Sequence, residues 1–178
     1  MSKKIITTGL TVVIMVQFAV LASEYLCAMY PLWTGQEISL KTIPVDPRSL
    51  FRGNYARLRY GISTIEGKDV SEKKDLRDGE VIYVKLKPSA DGFHVFDGAS
   101  LAKPETGPFI RGRIQGSHGE RHSVMYEVRY GIEAYFAPKE KALALEEQLR
   151  DSALAIIMVA GNGKAALKEI IKNRNDTG

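Results

Sequence analysis

The chain of 178 residues contains very little cysteine, and its charge is nearly balanced. Cys27 is the single cysteine, which excludes an intramolecular disulfide and a metal site built from cysteines. The 25 basic and 21 acidic residues give a net charge of +4 and are interspersed along the chain. The massed basic and aromatic surface of nucleic-acid-binding proteins is therefore missing, and we expect no nucleic-acid partner.

The sequence also lacks a complete catalytic or metal-binding signature. His118 and His122 have the spacing of a zinc-binding pair, but two nearby glycines favour a loop over a helix, and no third ligand is evident. Ser49 and Ser63 have no companion motif that would make either a nucleophile. We assign no catalytic residue, and we expect no metal and no cofactor.

What the sequence does contain is a long apolar stretch at its N-terminus. Residues 5–22 carry no formal charge and approach the length that a bilayer-spanning helix needs. Three aromatic residues that follow are typical of an interfacial belt: Tyr25, Tyr30 and Trp33. We expect a retained signal-anchor helix, and cleavage after residues 20–22 by a signal peptidase is the alternative.

The two lysines before this stretch predict its orientation. Lys3 and Lys4 favour a cytoplasmic N-terminus, so the rest of the chain should lie outside the bacterial cytoplasmic (inner) membrane as a periplasmic domain. Small residues do not precede Cys27, so lipoprotein processing is not expected. We expect a cytoplasmic tip and transmembrane anchor over 1–33, an extracytoplasmic β-rich domain over 34–173 and a frayed tail over 174–178.

After Gly35 the sequence changes to the two-residue alternation of β-strands. Residues 66–79 are charged and predict an exposed connection. Residues 139–150 predict one amphipathic helix near the C-terminus. Residues 164–171 then return as a strand or a short helix. The fold class is therefore mainly β (α+β), with a transmembrane helix followed by a sandwich-like or barrel-like domain. The predicted strands cover 38–42, 54–63, 81–86, 93–96, 109–115, 123–136 (the longest) and 155–160.

The stretch around which the chain is arranged covers residues 44–60. Asp46 followed by Pro47 predicts a turn, because proline pre-sets the backbone and aspartate accepts bonds from nearby N–H groups. In the strand that follows, alternation predicts one buried and one exposed face. The buried face carries Ala56, Leu58, Tyr60 and Ile62, and the exposed face carries Tyr55, Arg57 and Arg59.

A second segment of the chain repeats part of this stretch. The residues RYGI at 59–62 recur at 129–132, and FRG at 51–53 is echoed by FIRG at 109–112. Each half then continues into an apolar strand and a glycine turn. Such an echo either arises by chance, since strands share composition, or reflects an internal duplication, which would predict two similar β lobes.

The run GNYARLRY at residues 53–60, preceded by PVDPR at 44–48, resembles the signature of the GDYXXLXY family of bacterial membrane-anchored proteins. Further similarity lies at 130–133 and at 135–136, and it extends from about Trp33 to the C-terminal hairpin. The resemblance implies a location beside a polytopic membrane protein and implies no reaction. Asn54 stands where the family name has aspartate, so a metal-ligand or acid-base role at this position would be lost here.

Arginine and tyrosine residues near the two related segments form the candidate binding surface, because these side chains are concentrated in protein interfaces. We expect the domain to bind another membrane or envelope protein, and the lipid bilayer to contact the N-terminal helix. Alternatively, these arginines are structural ion-pair partners, or the protein is an extracytoplasmic hydrolase or small-ligand sensor that uses Asp46, Glu133 and a histidine. The surface comprises Asp46, Arg48, Arg52, Tyr55, Arg57, Arg59, Arg111, Arg113, Arg129, Glu133 and Tyr135.

Overall fold

The computed structural model describes residues 3–43, 55–72, 75–119, 124–136 and 153–172. Within these ranges one long α-helix is followed by strands and one short 3₁₀ turn, Gly67–Asp69. The helix is α1 (Lys3–Thr34). The strands are β1 (Gln36–Ile43), β2 (Tyr55–Arg57), β3 (Arg59–Tyr60), β4 (Thr64–Glu66), β5 (Val81–Pro88), β6 (His94–Ser100), β7 (Phe109–His118), β8 (Met125–Arg129), β9 (Ala134–Phe136), β10 (Ala153–Val159) and β11 (Ala165–Lys172).

Helix α1 extends beyond the uncharged run 5–22 in both directions. Its segment Ile6–Thr34 is a candidate membrane span, because it contains an 18-residue window of mean hydropathy 1.9 of which 0% is buried against the rest of the protein. With 32 residues the helix is about 48 Å long, which exceeds the hydrocarbon thickness of a bilayer. Its last turns therefore extend past the apolar layer if the helix spans a membrane.

The strands form a curled, mostly antiparallel sheet in the order β11-β10-β1-β6-β5-β7-β8-β4, and β3 also pairs with β1. Strands β1 and β6 pair in parallel through Leu40 and His94, and β2 pairs with β9 in a separate two-stranded sheet. The predicted β-rich body is therefore confirmed. The glycine turn of the second half, at 161–163, joins β10 to β11, and the returning segment is a strand, which was one of the two predicted alternatives.

The core follows the alternation that the sequence predicts. In β1 the side chains of Ile38, Leu40 and Thr42 are buried between exposed or half-buried neighbours. The same alternation buries Ile82, Val84 and Leu86 in β5. The tyrosine and isoleucine positions of both related segments are also buried, as predicted: Tyr60 is 1% exposed, Ile62 4%, Tyr130 6% and Ile132 2%.

The strand pairing shows that the two halves of the body repeat one pattern. In the β2–β9 pair Tyr55 lies opposite Phe136, and in the β8–β4 pair Met125 lies opposite Glu66, so a shift of 70 residues converts one pair into the other. The β5–β6 and β10–β11 hairpins correspond in the same way with a shift of 71. Each has one register irregularity at an equivalent place, between Lys85 and Leu86 and between Ile156 and Ile157.

The two repeats are interlocked and do not form separate lobes. Strand β2 of the first repeat pairs with β9 of the second, and β8 of the second pairs with β4 of the first. Because each repeat completes the other, neither half buries its own motif strands alone. The internal echo in the sequence therefore corresponds to a structural repeat within one body.

Several boundaries differ from those predicted. The 54–63 strand is divided into β2 and β3 and ends at Tyr60, because Ser63 N donates to Tyr60 O in a turn. The predicted 123–136 strand is divided into β8 and β9 by the turn at 130–133, which is equivalent to the turn at 60–63. The predicted exposed connection over 66–79 contains the end of β4 and the buried side chains of Val70 and Leu76.

Three predictions fall outside the described residues. They are the turn that begins at Asp46, the amphipathic helix at 139–150 and the tail at 174–178. The C-terminal helix therefore stays a prediction from composition and periodicity.

Candidate functional site

Two tyrosines join the related segments at the centre of the body. The Tyr60 hydroxyl donates a hydrogen bond to the Ile132 carbonyl at 2.6 Å. The Tyr130 hydroxyl donates to the Ile62 carbonyl at 2.5 Å. All four residues are buried. Each tyrosine of one segment therefore satisfies a buried backbone group of the other, which explains why the two segments face one another.

Two backbone hydrogen bonds between the related segments are reciprocal in the same way. Leu58 N donates to Glu133 O at 2.8 Å, and Val128 N donates to Ser63 O at 2.9 Å. Since residues 58 and 63 correspond to 128 and 133 under the shift of 70, the two bonds are equivalent across the internal two-fold relation. Together with the tyrosine hydroxyls they bring the two turns at 60–63 and 130–133 into direct contact.

Each of these turns is closed by a side chain three residues after the tyrosine. Ser63 Oγ accepts a hydrogen bond from Tyr60 N at 3.1 Å. In the second turn Glu133 accepts two bonds, Oε1 from Tyr130 N at 2.6 Å and Oε2 from Gly131 N at 3.0 Å. Both carboxylate oxygens of Glu133 therefore accept backbone hydrogen bonds within the turn.

Burial and charge around the tyrosines favour their neutral form. Burial raises the pKa of Tyr60 well above its usual value, and the nearby Glu133 carboxylate raises it further. Burial also raises the pKa of Tyr130, again with a smaller contribution from Glu133. Both hydroxyls therefore remain hydrogen-bond donors throughout the physiological pH range.

Beside this contact lies a cavity of about 590 Å³, which we call the arginine cavity. It is lined by residues from β2, β3, β8 and β9 and from both turns. Three arginines and two glutamates give it a net positive charge. The lining comprises Arg57, Leu58, Arg59, Ser63, Glu127, Val128, Arg129, Gly131, Glu133 and Ala134.

Four of the predicted surface residues meet in the arginine cavity: Arg57, Arg59, Arg129 and Glu133. The three arginine side chains are exposed, as predicted. Arg59 Nη2 donates to Thr64 Oγ1 at 3.2 Å, in an exposed contact. The side chains of Arg57 and Arg129 form no ion pair or hydrogen bond with another residue in the described part of the chain.

Three other predicted residues lie outside this cavity. Arg113 lies opposite Arg129 across the β7–β8 pair, and its Nη1 donates to Gly79 O at 2.9 Å. Arg111 is half-buried, and its backbone N donates to Gly163 O at 2.8 Å. Tyr135 packs against the core from β9. These three residues have structural surroundings that the sequence pattern did not predict.

The remaining predicted residues lie wholly or partly outside the described part of the chain. Asp46, Arg48 and Arg52 lie outside the described residues, and Tyr55 is described only through its backbone in β2. The suggested combination of Asp46 with Glu133 therefore stays a prediction.

Sequence reasoning missed Glu127 and Ser63 as members of the site. The shift of 70 residues makes Glu127 the counterpart of Arg57 and Ser63 the counterpart of Glu133. Extending the RYGI echo by a few residues on each side would have identified both positions. The missed signal was therefore the repeat itself, and the residue types alone did not reveal it.

A second cavity, of about 550 Å³, is mostly apolar and includes Tyr60, Ile62, Phe93, His94 and Phe96. The Nδ1 atom of His94 is buried there without a hydrogen-bond partner. The arginine cavity has no histidine among its described lining residues. In the described ranges no three His, Cys, Asp or Glu side chains are grouped closely enough to hold one metal ion.

Comparison with known proteins gives one match. A search of curated proteins and a search of solved structures found nothing similar to the chain. The family model described as "GDYXXLXY protein" matches residues 17–170. This match covers the second half of α1 and both related segments, and it extends into β11. The chain therefore belongs to the GDYXXLXY family.

Proposed function

We propose that the protein is a single-pass membrane protein whose extracytoplasmic domain binds another membrane or envelope protein. The observation that carries this proposal is the arginine cavity, in which Arg57 and Arg129 have no anionic partner among the described residues. Guanidinium groups bind carboxylates in a planar, two-point geometry. The partner therefore presents one or more carboxylate side chains.

The anchor part of the proposal rests on α1 and its flanking charges. The apolar segment Ile6–Thr34 is exposed over most of its length, and Lys3 and Lys4 precede it. Basic residues favour the cytoplasmic side, so the helix crosses the inner membrane with its N-terminus inside and the body in the periplasm. The helix is retained as a signal-anchor, because its apolar character continues up to β1.

The position of the arginine cavity favours a protein partner over the lipid headgroups. Strand β1 begins at Gln36, close to the end of the helix, and ends seven residues later at Ile43. Arg59 pairs with Ile43 at this far end of the strand. At about 3.3 Å per residue the arginine is roughly 23 Å along the strand from the helix end. The cavity is therefore accessible to a neighbouring protein at a distance from the bilayer surface.

The test is affinity purification of the full chain from solubilised membranes. An Arg57→Ala/Arg59→Ala variant should recover at least about tenfold less of the specific partner, since central interface arginines often dominate binding energy. Arg77→Ala is the matched control, because Arg77 is exposed and lies outside the arginine cavity. Equal recovery by wild type and the double variant, or an equal loss in the control, would contradict the proposal.

A second candidate function is small-ligand sensing, which the His94 cavity favours. Its apolar walls and the unpaired Nδ1 of His94 suit an apolar ligand that carries one polar group. A fluorescent apolar probe should bind the wild-type chain and bind His94→Leu less tightly. Probe binding that does not change in this variant would remove the sensor as a candidate.

A further inference from the structure

The end of helix α1 contains a carbonyl that the helix cannot satisfy. Pro31 lies inside α1 and has no N–H, so it cannot donate to the carbonyl of Cys27 four residues earlier. Lys164, in the turn between β10 and β11, donates its Nζ to Cys27 O at 2.7 Å. A residue 137 positions away therefore replaces the missing helical hydrogen bond.

Gly35, directly after the helix, closes the last helical turn and packs closely against β10. Gly35 N donates to Pro31 O at 2.9 Å. A Cβ at Gly35 would lie 2.3 Å from Pro31 O and 2.9 Å from Val159 N, so a larger residue would push the helix away from β10. The Lys164 bond and this close approach together set where the β10–β11 turn lies along the helix.

The length of the helix gives the depth of this turn, provided that α1 spans a membrane as proposed above. Twenty residues from Ile5 reach Glu24 and cover about 30 Å, which is the hydrocarbon thickness of a bilayer. Cys27 lies three residues further, about 4.5 Å beyond this layer. The Lys164 ammonium is therefore at the level of the lipid headgroups.

The surface around Lys164 has the composition of a headgroup-binding site. A cavity of about 290 Å³ opens between the helix end and the body, with Thr34, Phe109 and Gly161 in its lining. Lys103 lies 5.8 Å from the centre of the Phe109 ring, and Trp33, at the end of the helix, is 60% exposed. Lysines and amphipathic aromatic residues are the side chains that anchor proteins at this level of a bilayer.

Acidic side chains at the same end reduce its charge without cancelling it. Glu24 and Glu105 are exposed there, and Lys103, Arg111 and Lys164 are the basic residues. Glu37 is neutralised by Lys168, whose Nζ lies 2.8 Å from its Oε2. A positive excess therefore faces the headgroup layer.

We propose that this juxtamembrane end of the body, formed by the β10–β11 turn and the loop before β7, binds the headgroup of an anionic phospholipid. Lys164 contacts the phosphate while it keeps its bond to Cys27 O, because an ammonium group has three donors. Lys103 supplies the second positive charge. This site is separate from the arginine cavity, and it depends only on the anchor part of the proposed function.

The test uses the full chain in bilayers of phosphatidylcholine mixed with phosphatidylglycerol, followed by native mass spectrometry of the lipids that stay bound. Wild type should retain phosphatidylglycerol in preference to phosphatidylcholine. Lys103→Gln/Lys164→Gln should lower this preference by up to about fivefold per lysine, as expected for basic residues near an anionic surface. Lys41→Gln/Lys85→Gln is the control, because both of these lysines are exposed on other strands of the body.

Two further variants separate headgroup binding from loss of structure. Lys103→Gln alone leaves the Lys164 bond intact and should still lower the preference, whereas Lys164→Arg keeps the charge and should retain it. Equal retention of both lipids by an inserted wild-type chain, or an equal loss in the control, would overturn the headgroup site alone. Extraction of wild type by alkaline carbonate would overturn the anchor and this inference with it, and would leave the arginine-cavity test unaffected.

Discussion

Tyr60 and Tyr130 occupy equivalent positions in the two repeats, and each hydroxyl donates to the carbonyl two residues beyond the other tyrosine. These two hydrogen bonds make the repeats depend on each other, because each repeat supplies the donor for a buried carbonyl of the other. It also holds the two turns that border the arginine cavity.

Removal of either hydroxyl should destabilise the body. In Tyr60→Phe the buried Ile132 carbonyl loses its donor, and we expect the free energy of unfolding to fall by about 1–3 kcal/mol. Tyr130→Phe should behave alike through Ile62 O. Urea denaturation of the full chain in detergent, followed by circular dichroism, measures the change. Tyr83→Phe is the control, since the Tyr83 ring is half-buried and packs on Phe109. A similar loss in Tyr83→Phe would contradict the assignment to the reciprocal bonds.

The raised pKa values of both tyrosines predict a loss of stability in alkali. Burial, with a smaller contribution from Glu133, keeps the hydroxyls protonated in the folded state, while in the unfolded state they ionise near pH 10. Their contribution is therefore fully present below about pH 10 and is lost as pH rises above it, by about 1.4 kcal/mol per pH unit for each tyrosine. Between pH 9 and 12 the free energy of unfolding should fall less steeply with pH in Tyr60→Phe/Tyr130→Phe than in wild type. The same slope in both proteins would show that other groups cause the loss of stability.

Two equivalent turn glycines should respond differently to alanine. Gly92 and Gly163 both have a φ near +81°, which disfavours a side chain. A Cβ at Gly92 meets nothing within 4 Å, whereas one at Gly163 would lie 2.8 Å from Phe109 Cε2 and 3.0 Å from Arg111 N. Gly92→Ala should cost about 1 kcal/mol from the backbone alone. Gly163→Ala should cost about 1–3 kcal/mol more because of the overlap. Thermal unfolding of both variants measures the two losses of stability. Equal losses in Gly92→Ala and Gly163→Ala would contradict the close contact at Gly163.

The bond between Lys164 and the Cys27 carbonyl should matter only while residue 31 is proline. Lys164→Leu removes the donor, and the body should then move more freely on the helix. In a Pro31→Ala background the helix regains an N–H for this carbonyl, so Lys164→Leu should have a smaller effect. The width of the spin-label distance distribution between Ala22→Cys and Glu169→Cys, in a Cys27→Ser background, measures this freedom. Lys85→Leu is the control, and equal widths in all variants would remove the proposed role of Lys164.

The proposed orientation in the membrane predicts where a C-terminal reporter is active. Alkaline phosphatase fused after Gly178 should be active, because the body would lie outside the cytoplasm, and a cytoplasmic fluorescent reporter at the same place should not. Replacing Lys3 and Lys4 by glutamate should reduce the activity of the periplasmic reporter, since the positive flank sets the orientation. Activity of the cytoplasmic reporter alone in the wild-type fusion would reverse the assignment.

The sequence by itself determined the elements of this protein whose cause is local. The uncharged run after Lys4 produces α1, the alternation at 38–42 produces β1, and the β-rich residues at 81–86 produce β5. The residues around Tyr60 also identified the family. These features depend on the composition and periodicity of neighbouring side chains, which a single sequence displays directly.

Only the tertiary structure decided how the two related segments meet and where their strands end. The 54–63 stretch alternates without a break, yet it is divided at Leu58, where Leu58 N donates to Glu133 O in the other repeat. The tertiary structure also brings together residues that are far apart in the chain. Arg57 and Arg129 line one cavity, and Lys164 donates to Cys27 O. Such contacts arise when each repeat supplies the hydrogen bonds that the other lacks, and no local pattern of side chains records which distant group will do so.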